Sequence, residues 1–155
     1  MSQETPSSQP SVTPTPAAQV RDAIVSILQA AISDLPQSQI RGKLDVDGDA
    51  PLGTAAIIVS ASDKAGHNGM ATRVLIDIEA TVSILTHLDE DPHGTMNDDL
   101  EAQAMAAVTT IPRGTALDGW TIRYEGNWQS QDPAIVNDSF RARDITATLY
   151  LQQQQ

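Results

Sequence analysis

The chain has 155 residues, which is enough for one domain, and its 40% hydrophobic and 3% aromatic content requires an aliphatic core. It contains no cysteine, which excludes a disulfide framework, a thiolate metal site and a cysteine nucleophile. Twenty acidic residues against nine basic ones give a net charge of −11, which predicts a surface that repels nucleic acid.

The N-terminal region combines a polar arm with an amphipathic helix. Residues 1–15 are rich in Pro, Ser, Thr and Gln, and we expect them to form a disordered arm. A helix is predicted to begin with Thr15 as its N-cap and Pro16 as its first residue, and to end at Pro36. We expect a single folded domain over residues 16–151 and a flexible tail over residues 152–155. The apolar helical stripe comprises Val20, Ile24, Ile27, Leu28, Ala31 and Leu35.

The strongest pattern in the chain is a long alternation of apolar and polar residues over Thr72–His87. It predicts a strand with one face on a core and one face in water, longer than the usual five to six residues or so. Two shorter strands are predicted before it, at Ile40–Val46 and Ala55–Ser60. The residues of the long strand expected in the core are Val74, Ile76, Ile78, Ala80, Val82 and Ile84.

A second helix and two further strands complete the predicted elements. The helix is expected to begin with Thr95 as its N-cap and to end before Pro112. Strands are predicted at Trp120–Glu125 and Ile145–Leu151, with a bulge or strand start near Arg143–Asp144, because Phe140 and Ala142 have the opposite parity. This order of elements predicts an α+β fold: a mostly antiparallel sheet of four to five strands with two packed helices.

One acidic segment has the beginning of a calcium-binding pattern. Asp45, Asp47 and Asp49 alternate as the first ligands of a calcium loop do. Ala50 and Ala56 stand where that loop requires a glycine and a bidentate glutamate, so we interpret the segment as a solvated turn.

A second cluster contains residue types that bind zinc or manganese: His87, Asp89, Asp91 and His93. No helical spacing directs these side chains at one ion, and an acidic exposed loop is the alternative interpretation. The chain contains no nucleophile-elbow, P-loop or dinucleotide-binding motif. We therefore expect no enzymatic activity, no metal and no cofactor.

The charges are unevenly distributed along the chain. Acidic residues are concentrated between Asp45 and Glu101, whereas basic residues accumulate in the last third. Such a division allows an acidic edge of one subunit to contact a basic edge of the next in a head-to-tail ring, although scattered surface charge is the alternative. The candidate basic interface residues are Arg113, Arg123, Arg141 and Arg143. The candidate channel or interface loops are Asp45–Pro51, Asp63–Gly69 and Asp89–Gly94, with the charged residues Asp45, Asp47, Asp49, Asp63, Lys64, Asp89, Glu90 and Asp91.

A family resemblance rests on three features in chain order. These are the helix VRDAIVSILQAAISDL, the long strand followed by a polar loop and the helix DDLEAQAMAAVTTI, and the strand GWTIRYEGNW before FRARDITATLYL. Over about residues 18–151 the chain resembles the small tail terminator and tail completion proteins of long-tailed bacteriophages. The resemblance implies a six-fold ring that caps the tail tube and joins it to the head connector, without enzymatic activity or cofactor.

The resemblance also implies partners and a location. The partners are further copies of the chain, the tail tube protein and the head–tail connector protein, with DNA passing through the channel without specific binding. We expect a location in the tail or neck of the virion, and in the host cytoplasm during assembly, because neither a signal peptide nor a membrane span is predicted. The alternatives are another neck, head-completion or minor tail protein, an acidic protein-binding module, and an enzyme that uses the loop from His87 to His93.

Overall fold

A computed structural model of the chain describes residues 15–43, 54–64, 75–111, 116–125 and 127–154. This part contains two α-helices, one short 3-10 helix and eight β-strands. The helices are α1 (Pro16–Ala31) and α2 (Thr95–Val108), and the 3-10 helix is Gln37–Gln39. The strands are β1 (Ile40–Gly42), β2 (Ala55–Lys64), β3 (Leu75–His87), β4 (Ala116–Leu117), β5 (Trp120–Glu125), β6 (Gln129–Ser130), β7 (Ala134–Val136) and β8 (Phe140–Gln153).

The strands form one sheet in the order β1-β2-β3-β8-β5-β4, and β6 and β7 also pair with β8. The pairing of β1 with β2 is parallel and the other pairings are antiparallel. The predicted α+β class with a mostly antiparallel sheet is therefore confirmed. The predicted number of four to five strands is too low. Four of the eight strands have six or more residues, and the others have two or three, which is too short to produce a periodic pattern.

The two longest strands, β3 and β8, lie at the centre of the sheet. Their register is continuous from the pair Leu75–Gln152 to the pair His87–Phe140. The core residues expected on the long strand are confirmed where they are described: Ile78, Ala80, Val82 and Ile84 are fully buried and Ile76 is half-buried. Residues 72–74, including Val74, lie outside the described residues.

The last strand differs from its prediction at both ends. β8 begins at Phe140, five residues before the predicted start, and its register with β3 is continuous near Arg143–Asp144. Phe140 and Ala142 have the opposite parity because they belong to the sheet face opposite the helices. A register shift does occur in β5, between Ile122 and Tyr124. The predicted start of the flexible tail, residue 152, is too early, because β8 extends to Gln153.

Both helices pack on the same face of the sheet and against each other. α1 begins as predicted, with the Thr15 hydroxyl accepting a hydrogen bond from the Ala18 N–H at 3.1 Å. It ends at Ala31 rather than at Pro36. Ala31 is exposed, and Ile32, which follows the helix, is buried. The side chains of α1 that are fully buried in the aliphatic core are Val20, Ile24 and Leu28.

Candidate functional site

The sheet face opposite the helices is polar along the middle of its two central strands and has apolar residues towards the strand ends, among them Leu75, Leu85 and Phe140. We use the term open face for the alternate residues of β3 and β8 that point away from the helices. None of these residues is fully buried, and together they contain three carboxylates and no lysine or arginine. They are Leu75, Asp77, Glu79, Thr81, Ser83, Leu85 and His87 of β3, and Phe140, Ala142, Asp144, Thr146, Thr148, Tyr150 and Gln152 of β8.

Hydrogen bonding and shape give the open face a fixed polar surface. The Ser83 hydroxyl donates a hydrogen bond to Asp144 Oδ1 at 2.7 Å, which joins β3 to β8 across this face. Beside it, a hollow of about 320 Å³ is lined by Glu79, the threonines of β8, Tyr150 and two amide side chains, those of Asn127 and Gln129. A surface of this composition presents hydroxyl, amide and carboxylate groups to solvent.

The start of α2 is fixed to the sheet by a buried polar cluster, which we call the Asp91 anchor: Thr86, Asp91, Asn97 and Arg141. Asp91 is 4% exposed, and its two carboxylate oxygens accept hydrogen bonds from the Met96 and Asn97 N–H groups, each at 3.0 Å. Asp91 therefore supplies the capping oxygens of α2. The predicted N-cap, Thr95, is instead the first helical residue, and Gly94 is the N-cap.

Asn97 is the amide of the Asp91 anchor and is fully buried. Its side-chain N–H groups donate to the Thr86 hydroxyl and to the Arg141 carbonyl oxygen, both at 3.2 Å, and lie 3.4 Å from a further carbonyl oxygen, that of Ile84. These bonds join α2 to both central strands. A buried amide with its partners supplied by two neighbouring strands specifies one position of the helix on the sheet.

Two arginines predicted at an interface lie beside this anchor. The Arg143 guanidinium donates to Asn97 Oδ1 at 3.3 Å and to Asp98 Oδ1 at 2.6 Å, and its side chain is 17% exposed. The Arg141 guanidinium donates to the carbonyl oxygens of Asp91 and Pro92, at 3.4 and 3.2 Å. The structure therefore places both guanidinium groups in contacts within the subunit, at the N-terminus of α2.

The Asp91 carboxyl group has a perturbed pKa. Burial raises the pKa of Asp91, but its hydrogen bonds and the nearby positive charge together hold it below the ordinary value of 3.8. The groups that lower it are the N–H groups of Met96 and Asn97, the hydroxyl of Thr86 and the guanidinium of Arg141.

We expect Asp91→Asn to lower the free energy of unfolding by about 1–2 kcal/mol near neutral pH, because the amide accepts these bonds less strongly and adds donors. The native pKa lies below 3.8, so the carboxylate stabilises the fold above that pH and loses its effect as the pH falls through the native pKa. Urea unfolding at several pH values tests this. The difference from the wild type should be constant from about pH 5 to 7 and shrink below about pH 4. A difference that does not shrink in acid would contradict the role of the ionised group.

Gly94 allows the chain to enter α2 close to Arg141. Its φ of +77° is in the left-handed region, and an added Cβ would lie 3.2 Å from Arg141 Cζ. We expect Gly94→Ala to destabilise the protein by more than the roughly 1–2 kcal/mol of backbone strain. Gly119→Ala is the matched control, since its φ is +85° and nothing lies within 4 Å of the added Cβ. Equal changes in melting temperature for the two variants would show that the contact with Arg141 is unimportant.

The Asp91 anchor presents an exposed turn, which we call the acidic turn, at Leu88–Glu90. The N–H groups of Glu90 and Asp91 both donate to the His87 carbonyl oxygen, at 3.0 and 2.9 Å. The Asp89 N–H donates to His87 Nδ1 at 3.2 Å, and the Asp89 side chain is 88% exposed. The turn therefore has a defined backbone and carboxylates directed into solvent.

Two of the four residues considered as a metal site, Asp91 and His87, have other contacts. Asp91 points inward to α2, and the His87 ring packs edge-on against Phe140 with 5.2 Å between centroids. In the described ranges, no group of three or more His, Cys, Asp and Glu residues is placed to bind a metal ion.

A second hollow of about 240 Å³ lies where α1 meets β1 and β2. We call it the basic hollow, because Arg21 and Lys43 line it together with the hydroxyl residues Thr15 and Ser60. The Arg21 side chain packs over Gly42, where an added Cβ would be 2.7 Å from Cδ, and its Nε donates to Asp22 Oδ1 at 3.0 Å. Lys43 is exposed, and its backbone N–H donates to the Val59 carbonyl oxygen at 2.7 Å. Sequence analysis missed this site because its residues come from three separate segments.

A third concavity, of about 540 Å³, separates the two helices on their outer side. Its lining contains no charged residue: Ile27, Ala30, Ala31, Gln103, Ala106, Ala107 and Thr110. We call it the interhelical groove.

The remaining candidate residues are dispersed or lie outside the described residues. Asp63 is exposed near the end of β2, Lys64 ends that strand, and Arg123 is exposed on β5. Asp45, Asp47, Asp49 and Arg113 lie outside the described residues, as do the rest of the loops that begin at Asp45 and Asp63 and residues 1–14 of the predicted arm.

Two further findings bear on the class of protein. Neither of the two helices in the described ranges has the length and apolar composition needed to cross a membrane. No protein-family model and no curated protein sequence matches the chain.

Proposed function

We propose that this protein is a structural component of a bacteriophage virion, a tail terminator that forms a ring on the end of the tail tube. In this proposal the ring is six-fold, joins the tube to the head connector and surrounds the path of the DNA. It has no enzymatic activity and needs no cofactor. The resemblance in the order of elements, the net charge of −11 and the composition of the open face support the proposal.

The open face is the observation that carries the proposal. A channel for DNA needs a wall without cations that bind phosphate, since each neutralised phosphate strengthens binding through counterion release. On β3 and β8 the open face has Asp77, Glu79 and Asp144 among hydroxyl residues, without lysine or arginine. We therefore assign the open face to the wall of the channel.

Lysines introduced on the open face test this assignment. We expect Glu79→Lys with Thr146→Lys, two open-face positions that are not directly opposite each other, to leave folding and ring assembly unchanged but to reduce the number of infectious particles at least about tenfold, because DNA phosphates then bind the wall. Asp132→Lys, at an exposed position between β6 and β7, is the matched control and should retain infectivity. Full infectivity of the double variant would contradict the assignment of this face to the channel.

Electron microscopy of the purified protein, alone and with tail tubes, tests the ring itself. We expect rings with a central opening, and caps on one end of the tubes when tubes are present. If the free protein stays monomeric, the proposed function still requires that the ring forms on the end of the tube. Particles that neither form rings nor bind tubes would contradict the proposal.

A protein-binding module is the second candidate function, and the interhelical groove is the observation that favours it. An uncharged concavity of about 540 Å³ is suited to an apolar side chain or short helix of a partner. Under this alternative the protein is monomeric at all concentrations and is unaffected by tail tubes, so the same experiment distinguishes the two functions.

A further inference from the structure

We propose that the acidic turn of one copy binds in the basic hollow of a neighbouring copy, and that this contact, repeated head to tail, closes the ring. The inference rests on the proposed function for the ring, and it identifies the two surfaces that meet. Neither surface belongs to the open face, which stays free to surround the channel.

The two surfaces are complementary in charge. In the acidic turn, Asp89 has His87 Nδ1 at 3.9 Å as its nearest ionisable partner, and Glu90 is exposed without an ion pair among the described residues. In the basic hollow, Lys43 is exposed and likewise has no ion pair in the described part of the chain. Joining them pairs charges that the single subunit leaves exposed, and charge complementarity of this kind selects the partner and its orientation.

The two surfaces are also complementary in shape. The acidic turn projects from the end of β3, whereas the basic hollow is a concavity of about 240 Å³. Arg21 of α1 provides guanidinium donors beside the position that a carboxylate would occupy. Arg21 already donates through Nε to Asp22, so Lys43 supplies the main charge.

Both surfaces are held in place before they meet. The acidic turn is fixed by the His87 carbonyl oxygen and by the Asp91 anchor. The backbone of Lys43 is fixed by its bond to β2, and the Arg21 side chain by its packing over Gly42, so the Lys43 side chain is the main group that becomes ordered in the contact. A contact between preformed surfaces costs little conformational entropy, so a small interface can be repeated around a ring.

Their positions in the fold make the contact intermolecular. The basic hollow lies beside Ser60, which pairs with Thr81 in the middle of β3, whereas the acidic turn follows His87 at the end of that strand. The separation along the strand is about 20 Å at roughly 3.3 Å per residue. A contact between two different surfaces of identical subunits is heterologous, and it produces a ring when its rotation closes.

Cysteine crosslinking tests the contact directly, because the chain has no cysteine of its own. Ala18→Cys, on the α1 side of the basic hollow, combined with Asp89→Cys keeps Lys43, Arg21 and Glu90 in place. With a short bis-maleimide at high protein concentration, we expect this variant to form a ladder of trimers and larger species. Each single-cysteine variant can form dimers at most, and Ala18→Cys with Asp132→Cys is the matched pair control. A pattern no different from that control, or one that stops at dimers, would overturn the inference.

Charge reversal provides the second test. Lys43→Glu and Glu90→Lys should each weaken self-association in sedimentation by about tenfold or more, and the double variant should recover it. Single variants without effect, or a double variant as weak as either single one, would contradict the contact. Both experiments use purified protein without phage components. If the crosslinked ladder forms but a phage lacking the protein makes normal tails, the terminator function is refuted and the contact between copies remains supported.

Discussion

Replacing Ile78 with aspartate is expected to prevent folding to a soluble protein. Ile78 is fully buried on the central strand β3, opposite Leu149 of β8. A carboxylate at this position loses its hydration without gaining a cation, which costs several kcal/mol in addition to the lost apolar burial. Since natural domains are stable by only about 5–15 kcal/mol, one such change exceeds or consumes most of that margin. The measurement is the soluble fraction after expression, followed by circular dichroism of any soluble protein.

The neighbouring residue provides the matched control for this change. Glu79 has the opposite parity and is exposed on the open face, so Glu79→Ala should change the free energy of unfolding by no more than about 0.5 kcal/mol. If Ile78→Asp and Glu79→Ala were tolerated equally, the register of β3 would be wrong.

Removing the amide of the Asp91 anchor has the second-largest expected effect. Asn97→Ala removes a donor from the Thr86 hydroxyl and from the Arg141 carbonyl oxygen, and an acceptor from Arg143 Nε, at a fully buried position. Buried polar groups left without partners cost about 1–3 kcal/mol each, so we expect a total loss of about 2–4 kcal/mol. Denaturant unfolding near neutral pH measures it.

Asp98→Ala is the control for Asn97→Ala. It removes the 2.6 Å ion pair with Arg143, but the Asp98 side chain is 68% exposed. Solvent screening limits the value of such a pair, and we expect a loss below about 1 kcal/mol. A loss for Asn97→Ala no larger than that for Asp98→Ala would show that the buried amide does not hold α2 on the sheet.

The sequence predicted the centre of the fold well because burial there follows a simple period. β3 alternates between a mainly aliphatic helix-facing side and an open face that is polar except at Leu75 and Leu85, so the parity of Ile78, Val82 and Ile84 determined its register. β8 was harder because its open face is apolar at one end, where Phe140 lies opposite His87 and Ala142 lies opposite Leu85. When apolar residues lie on both faces of a strand, their parity changes along the sequence, and a β-bulge produces the same change.

The shortest elements could not be identified by periodicity, although one left a turn signal. Asn137 and Asp138 both have positive φ, at 53° and 55°, and the Ser139 N–H donates to the Val136 carbonyl oxygen at 3.2 Å. Asn and Asp tolerate this conformation better than other non-glycine residues, which makes the pair a recognisable hairpin signal between β7 and β8.

The candidate site depended on contacts between distant segments, which charge counting does not reveal. Arg141 and Arg143 were candidates for an interface because they are basic, yet both guanidinium groups have partners at the start of α2. The basic hollow is formed from α1, the end of β1 and the middle of β2. Candidates that the sequence alone did place on a surface are Asp89 and Glu90 in the loop after β3, Asp63 and Arg123.

A phage that lacks this protein provides the most direct test of the terminator function. Without a ring to stop growth of the tube and bind the connector, we predict tails that are overlong or carry no head, visible by electron microscopy of the lysate. Complementation with the wild-type chain should restore tails of uniform length joined to heads. Tails of normal length joined to filled heads in the absence of the protein would contradict the proposed function.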